Sequence, residues 1–168
     1  LVGSEMCIRD SDYPEHILAT VEGAGYGFLI GNLFAILAGT IFALFPWANK
    51  IFRGLNIVIF SLPPIVLAPI LSLTLTGITP RIVMAALGCY FITMTATHIG
   101  LTRSESITIN LIKSYGGGKF KHFFHVSWFR ALPVILSGIA VTAPNAVLGS
   151  ILAEFGGGGR WGLGVYLI

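Results

Sequence analysis

Four long stretches without a formal charge constrain this chain more than any other feature. They run from Gly23 to Asn49, Gly54 to Pro80, Ile82 to Thr102 and Ala131 to Ala153. Each has at least the ~20 residues that carry a helix across ~30 Å of hydrocarbon. A helix on a soluble core rarely runs so far without a polar face. None of the stretches alternates polar and apolar residues as barrel strands do. The sequence therefore predicts an all-α fold, a polytopic transmembrane helical bundle, with spans near 17–45, 52–76, 80–101 and 131–153. Composition agrees, with 55% hydrophobic and only 10% charged residues, where a soluble domain carries about a quarter.

The net charge of +3 does not point to nucleic acid, because the bases lie between apolar spans, where the positive-inside bias accounts for them. Lys50 and Arg53 separate the first two spans. Arg103, Lys113, Lys119, Lys121 and Arg130 separate the third and fourth, against the single acid Glu105. The opposite side holds Asp12, Glu15, Glu22 and Glu154, with Arg81 and Arg160. The basic side is expected to face the cytoplasm, and Arg81, the dissenter, to snorkel to the interface. Cys89 sits in mid-span and Cys7 near the start, so no disulfide or metal site is predicted. Residues Leu1 to Ser11 lack the build of a signal peptide and resemble translated adaptor sequence. They are set aside as a non-native tail, leaving 12–168 as the membrane domain. The last residues, Val165 to Ile168, end inside an apolar run, and the chain is expected to be a piece of a longer protein at both ends.

The connection spanning 102–130 has internal structure. Thr102 to Lys113 reads as a helix with Ile107, Leu111 and Ile112 near one face. Gly116, Gly117 and Gly118 then break it, since glycine stops a helix cheaply in a left-handed conformation. Lys119 to Arg130 resumes with basic residues and Phe120, Phe123, Phe124, Trp128 and Phe129. Pro133 follows in the expected first turn of the next span. Such a segment suits either docking to a partner or lying on lipid headgroups.

These residues resemble the cytoplasmic loop of the inner-membrane permease component of binding-protein-dependent ABC importers. That loop has Glu-Ala-Ala, three residues, a glycine, and a Leu-Pro about sixteen residues later. Gly116 takes the glycine position and Leu132-Pro133 the Leu-Pro position, while Asn110-Leu111-Ile112 stands where the family has Glu-Ala-Ala. His16 to Thr20 is similar to the opening of the family's second helix. Ser61-Leu62-Pro63-Pro64 with Ala68-Pro69-Ile70, and Gly162 to Ile168, resemble the nitrate, sulfonate and taurine branch.

The resemblance implies a type I ABC importer permease-like bundle, incomplete at both ends, in a bacterial inner membrane. It implies a permease pair, expected as a homodimer, each copy presenting its loop to a separate ABC ATPase subunit. An extracytoplasmic solute-binding protein would deliver a small solute, with anions such as nitrate, a sulfonate or taurine as the branch's cargo; importers of thiamine precursors look alike at this level. The chain would be no enzyme, with no catalytic residue, cofactor or metal of its own, and ATP and magnesium would sit on the partner ATPase.

The coupling residues this implies are Asn110, Gly116, Lys119, Lys121, Phe123, Phe124, Trp128, Leu132 and Pro133. The lysines serve equally as positive-inside charges, and the aromatics as an interfacial belt. Candidates for the substrate path are Asn56, Thr93, Thr97 and Asn145, polar at membrane depth, with Pro63 and Pro64, which free backbone carbonyls and kink a span. Thr95, His98 and Thr142 share that depth. Any of the polar residues could instead bond a neighbouring helix, at ~1 kcal/mol each. Gly27 and Gly31 have the spacing that lets helices approach closely. Gly156 to Gly159 lacks the Gly-Lys-Ser/Thr of a P-loop and reads as an external loop. The alternative is an ion-coupled secondary transporter or another polytopic subunit. Ion-coupled transporters place charged groups at the bilayer centre, and the four windows have none. A membrane-embedded enzyme finds no His-Glu-x-x-His or Gly-x-Ser-x-Gly here.

Overall fold

Helices form in these windows because a segment surrounded by lipid has to satisfy its own backbone. The computed structural model describes residues 2–61, 64–103, 123–157 and 162–166. In chain order the elements are α1 (Val2–Leu44), α2 (Pro46–Ser61), α3 (Pro64–Thr74), α4 (Thr79–Thr102), a π-helical turn (Phe123–Ser127), α5 (Trp128–Phe155) and the short α6 (Leu163–Tyr166). A proline opens α2, and Pro80 lies in the first turn of α4, where a helix has no use for the missing N–H. Gly77, at φ +71°, makes the turn into α4 in a left-handed conformation that favours glycine.

Three helices, α1, α4 and α5, form the bundle and are each long and apolar enough to cross a membrane. Gly23 lies against Arg81, Gly27 against Ala85 and Gly39 against Thr97, so α1 and α4 run parallel. Gly149 lies against Met84, Gly88 against Asn145 and Gly100 against Ala131, so α5 runs antiparallel to α4. The start of α1, the start of α4 and the end of α5 therefore share one end of the bundle, and the loop 104–122 leaves from the other.

The distribution of side chains is inverted relative to a soluble protein. The buried set is mostly small, with Ala24, Ala35, Ala85, Cys89, Ala131, Ala146, Ala153, Thr20, Thr93, Thr97, Thr142 and Ser150 beside a few larger residues such as Met84, Leu101, Phe123 and Ile135. Leu18, Leu29, Leu33, Phe34, Leu37 and Ile41 of α1 face outward, as do Leu136, Val141 and Leu148 of α5. Large aliphatic residues usually fill a soluble core, and an exposed stripe this long would aggregate in water. Lipid removes that penalty, and helices there associate through small residues that let backbones meet. At Gly31 a Cβ would stand 2.6 Å from the Ala86 carbonyl oxygen and 2.7 Å from its Cα, so only glycine allows this approach.

In the second window, read as one span over 52–76, the described residues form α2 up to Ser61 and α3 from Pro64, and whether the two are continuous turns on Leu62 and Pro63, which lie outside the described residues. α2 makes its main contact with the end of α1, including stacked Phe42 and Phe52 rings with centroids 6.3 Å apart, whereas α3 packs Ala68 against Met84 of α4 and Ala153 of α5. The fourth span begins earlier than 131: α5 starts at Trp128, directly after the π-helical turn, which puts Pro133 inside the helix rather than in its first turn. The backbone of 2–13 continues α1 upstream; the reading of 1–11 as a foreign tail turns on side chains outside the described residues.

Candidate functional site

The two ends of the bundle are built differently. At the end where α1 and α4 begin, one acid and one base are buried together, while Glu15 and Glu22 stay exposed. Glu154, 1% exposed at the end of α5, faces Arg81, 5% exposed at the start of α4. Arg81 Nε lies 3.5 Å from Glu154 Oε1. Thr20 of α1 donates its hydroxyl to the same carboxylate oxygen at 2.7 Å, and the backbone N–H of Gly164 donates to Oε2 at 2.7 Å. Thr20 Oγ1 in turn accepts the N–H of Leu163 at 2.9 Å, and His16 Nδ1 accepts the N–H of Gly162 at 2.9 Å. Ser150 donates to the Thr20 carbonyl at 3.1 Å. Successive backbone N–H groups entering α6 are thus each met by a side chain from α1 or α5. Gly162 and Gly164 lie so close to Glu154 that a Cβ on either would overlap it.

This corrects the reading of Arg81 as a residue that snorkels to the interface. Its guanidinium turns inward because the antiparallel α5 brings Glu154 to the same depth, and a buried charge persists only when paired and hydrogen-bonded. Sequence reasoning missed this cluster. A usable signal was present: a base immediately before the third window and an acid immediately after the fourth must meet if those helices pack antiparallel.

Halfway along, Thr93 donates to Asn32 Oδ1 at 2.6 Å and Thr142 to the same oxygen at 3.3 Å, joining α4 and α5 to α1. Thr97 returns its hydroxyl to the Thr93 carbonyl at 2.7 Å. Thr93 and Thr97 are fully buried in this seam. Thr93 thus bonds across the seam to α1, whereas Thr97 bonds within its own helix. Asn145 is half-buried where α5 crosses Gly88.

At the opposite end, an open cleft of about 320 Å³ lies between the end of α1, α2 and α4. Asn56 lines it together with Asn49, Thr95, His98 and Thr102, and Phe42 and Phe91 supply apolar wall. Of the substrate-path candidates this cleft takes in Asn56 alone. Pro63 lies outside the described residues, and of Pro64 only the backbone, opening α3, is described.

Of the coupling candidates, Asn110, Gly116, Lys119 and Lys121 lie outside the described residues, as does the expected helix, glycine break and helix of 104–122. The backbone of Phe124 falls in the π-helical turn. Phe123 is buried against Leu101 of α4 and Ala131 and Ile135 of α5, with Ile36, Ala43 and Leu44 of α1 and Trp128 packed around them. That position corrects its assignment as an aromatic offered to a partner's cleft or to the lipid interface: the ring is consumed by its own bundle, while Phe129, in the first turn of α5, is exposed. Leu132 and Pro133 are exposed on α5.

The chain is similar to the "Probable ABC transporter permease protein" of Haemophilus influenzae (strain ATCC 51907 / DSM 11121 / KW20 / Rd), with 24% identity over 155 residues, which is 92% of this chain and 63% of that protein. It therefore spans less than two thirds of that relative's length. The family model for the binding-protein-dependent transport system inner membrane component matches residues 31–168, most of the chain. Helices packed through small residues with lipid-facing leucines, and a match over that length, lead to one conclusion: this chain belongs to the family of binding-protein-dependent transport system inner membrane components.

Proposed function

We propose that the chain forms the membrane pathway of an ATP-driven importer and takes its drive from a separate ATPase through the 102–130 loop. A second permease copy completes the pathway, and an extracytoplasmic solute-binding protein supplies a small solute. ATP and magnesium belong to the ATPase, and this chain makes and breaks no covalent bond. The observation that carries the coupling is the seating of Phe123. The segment leaving the loop is clamped to the ends of α1, α4 and α5 together, so a push on the loop reaches every long helix of the bundle at once. Close packing transmits such a displacement rather than absorbing it.

Orientation comes first. A cysteine replacing Lys119 is expected to react with membrane-impermeant reagents from the cytoplasmic side only, and one replacing Gly158 from outside only. Reversed labelling would put the loop out of an ATPase's reach.

The coupling test is Gly116→Val in the full-length permease with its ATPase. A β-branched residue resists positive φ, at about 1–2 kcal/mol in the left-handed region, and loses the turn that sets the loop's angle. Uptake into reconstituted vesicles is expected to collapse while ATP hydrolysis continues and membrane abundance stays normal. An abundant valine variant that transports at the normal rate would remove the loop from the mechanism.

A further inference from the structure

Three glycines stand within five residues of α1, and packing accounts for two of them. A Cβ on Gly23 would stand 2.9 Å from Arg81 Cβ, and one on Gly27 would stand 2.7 Å from the Ile82 carbonyl oxygen. Gly25, between them, is exposed, with nothing within 4 Å of a Cβ there. Glycine weakens a helix interior relative to alanine, so Gly25 softens α1 where no close approach requires it. Clustered glycines are among the few places where a helix bends sharply. The way α1 is held also changes here. From Ala24 onward it joins the buried apolar clusters, through Ala24 and Phe28 and then Ile36, Ala43 and Leu44. Before Gly23 it is held by hydrogen bonds to α4, α5 and α6. Arg81 Nη1 donates to the Ala19 carbonyl at 3.4 Å, Ser150 donates to the Thr20 carbonyl, and Thr20 donates to Glu154. The N–H groups of Leu163 and Gly162 donate to Thr20 and His16. α6 rests on α5, where a Cβ on Gly164 would stand 2.7 Å from the Ile151 carbonyl oxygen, and α5 meets α4 as closely at Gly149 and Met84. At this end α4, α5 and α6 thus form one body, and residues 14–22 of α1 are fastened to it by bonds. Such bonds near an end of the bundle are exchanged for bonds to water at small net cost, whereas interlocked backbones do not part so readily.

We propose that residues 14–22 of α1 form a hinged arm: it bends at Gly25, and the bonds of Thr20 and His16 to Glu154 and α6 are the latch that holds it closed. With the latch undone, the arm leaves α5 and water reaches Ser150. Close to the bend the displacement is small, so Ala24 and the seam beyond it stay shut. Segments with few buried apolar contacts open locally in this way, and hinges are a few residues that absorb the change in backbone angles. The arm depends on the bundle alone; its use in a transport cycle rests on the importer reading.

The test uses the purified full-length permease in phosphatidylcholine nanodiscs, where a reagent reaches both faces, carrying Cys7→Ser and the reporter Ser150→Cys. Ser150 and Cys89 are both fully buried, the first against the arm and the second in the seam beyond it. Peptide mass spectrometry after reaction with a sulfonate-bearing methanethiosulfonate reads the two thiols separately. Thr20→Val keeps the side chain's shape and removes its hydroxyl. It is expected to speed labelling at position 150 about tenfold, the population change for losing one or two hydrogen bonds, with Cys89 unchanged. Thr20→Ser should restore the slow rate. Gly25→Ala should slow labelling at position 150 about fivefold, by favouring the straight helix. Gly54→Ala in α2, where a Cβ also meets nothing within 4 Å, makes the same change outside the arm and should leave the rate alone. If Thr20→Val speeds both thiols alike, the bundle has loosened as a whole and there is no latch. If Gly25→Ala matches the parent, or Gly54→Ala slows labelling equally, Gly25 is no hinge. Either result overturns the proposal. Labelling needs no ATP and no uptake, so its failure is separate from failure of the importer reading. Uptake by the full transporter in vesicles then tests the arm's use: Gly25→Ala is expected to slow it, and an unchanged rate where the parent transports would take the arm out of the cycle.

Discussion

Glu154→Ala is expected to destabilise the bundle by about 3–5 kcal/mol, the cost of stranding a buried charge when its partner is removed. The carboxylate meets three other places in the chain: it faces Arg81, accepts from Thr20 and holds the N–H of Gly164. Alanine leaves the guanidinium in a dry site and strips an acceptor from both the hydroxyl and the backbone. Glu154→Gln should be milder, because an amide oxygen still accepts one of those bonds. Pairing Glu154→Leu with Arg81→Leu should recover more than half of the loss, since a buried ion pair can often be exchanged for apolar residues at little cost. The check is the thermal unfolding midpoint of the detergent-purified protein for all the variants. Equal midpoints for Glu154→Ala and the parent would show that the ion pair carries no stability.

Gly31→Ile is expected to cost about 1–3 kcal/mol or more, the range for forcing extra volume into a packed interior. The added atoms would enter the Ala86 backbone at separations below 3 Å, and backbone cannot swing aside as a side chain can. The α1–α4 seam would have to open, and the Thr93 to Asn32 bond at 2.6 Å, one residue along from Gly31 on α1, would stretch with it. Gly25→Ile provides the contrast, because nothing lies within 4 Å of a Cβ there. It should be neutral or mildly stabilising, since glycine is a poorer helix former than isoleucine. The same melting experiment compares the two, with abundance in the membrane as a second readout. Equal effects at positions 31 and 25 would mean that close approach at Gly31 does not hold the helices together.

Much of the architecture was legible in the sequence because charge is so informative in a membrane. Uncharged windows located α1, α4 and α5, and Gly27 and Gly31 stood where the helices meet. Arg81, by contrast, misled. A lone base beside an apolar window looks like an interfacial anchor until the antiparallel return of α5 supplies an acid, and that partner is remote in sequence. Phe123 was readable as an aromatic near a membrane surface, but which side of the turn it faces depends on the π-helical turn, for which the sequence carries no periodic signal. Thr93 and Thr97 were visible as polar residues at depth. The bond from Thr93 to Asn32 depends on register between helices, a tertiary property.

The pairing of Arg81 with Glu154 also bears on the order in which the chain is made. Translation delivers α1 and α4 to the membrane before α5, so a guanidinium belonging to the packed interior exists for a time without its carboxylate. During that interval the α4 terminus has to keep its charge near water, which holds α4 high in the bilayer. Arrival of Glu154 ends the wait: Arg81 can turn inward, Thr20 gains its acceptor, and the backbone at Gly164 finds an anchor. That end of the bundle is thereby locked only after α5 has been synthesised, and a nascent chain arrested before α5 should remain dispersed in the membrane and open to proteolysis.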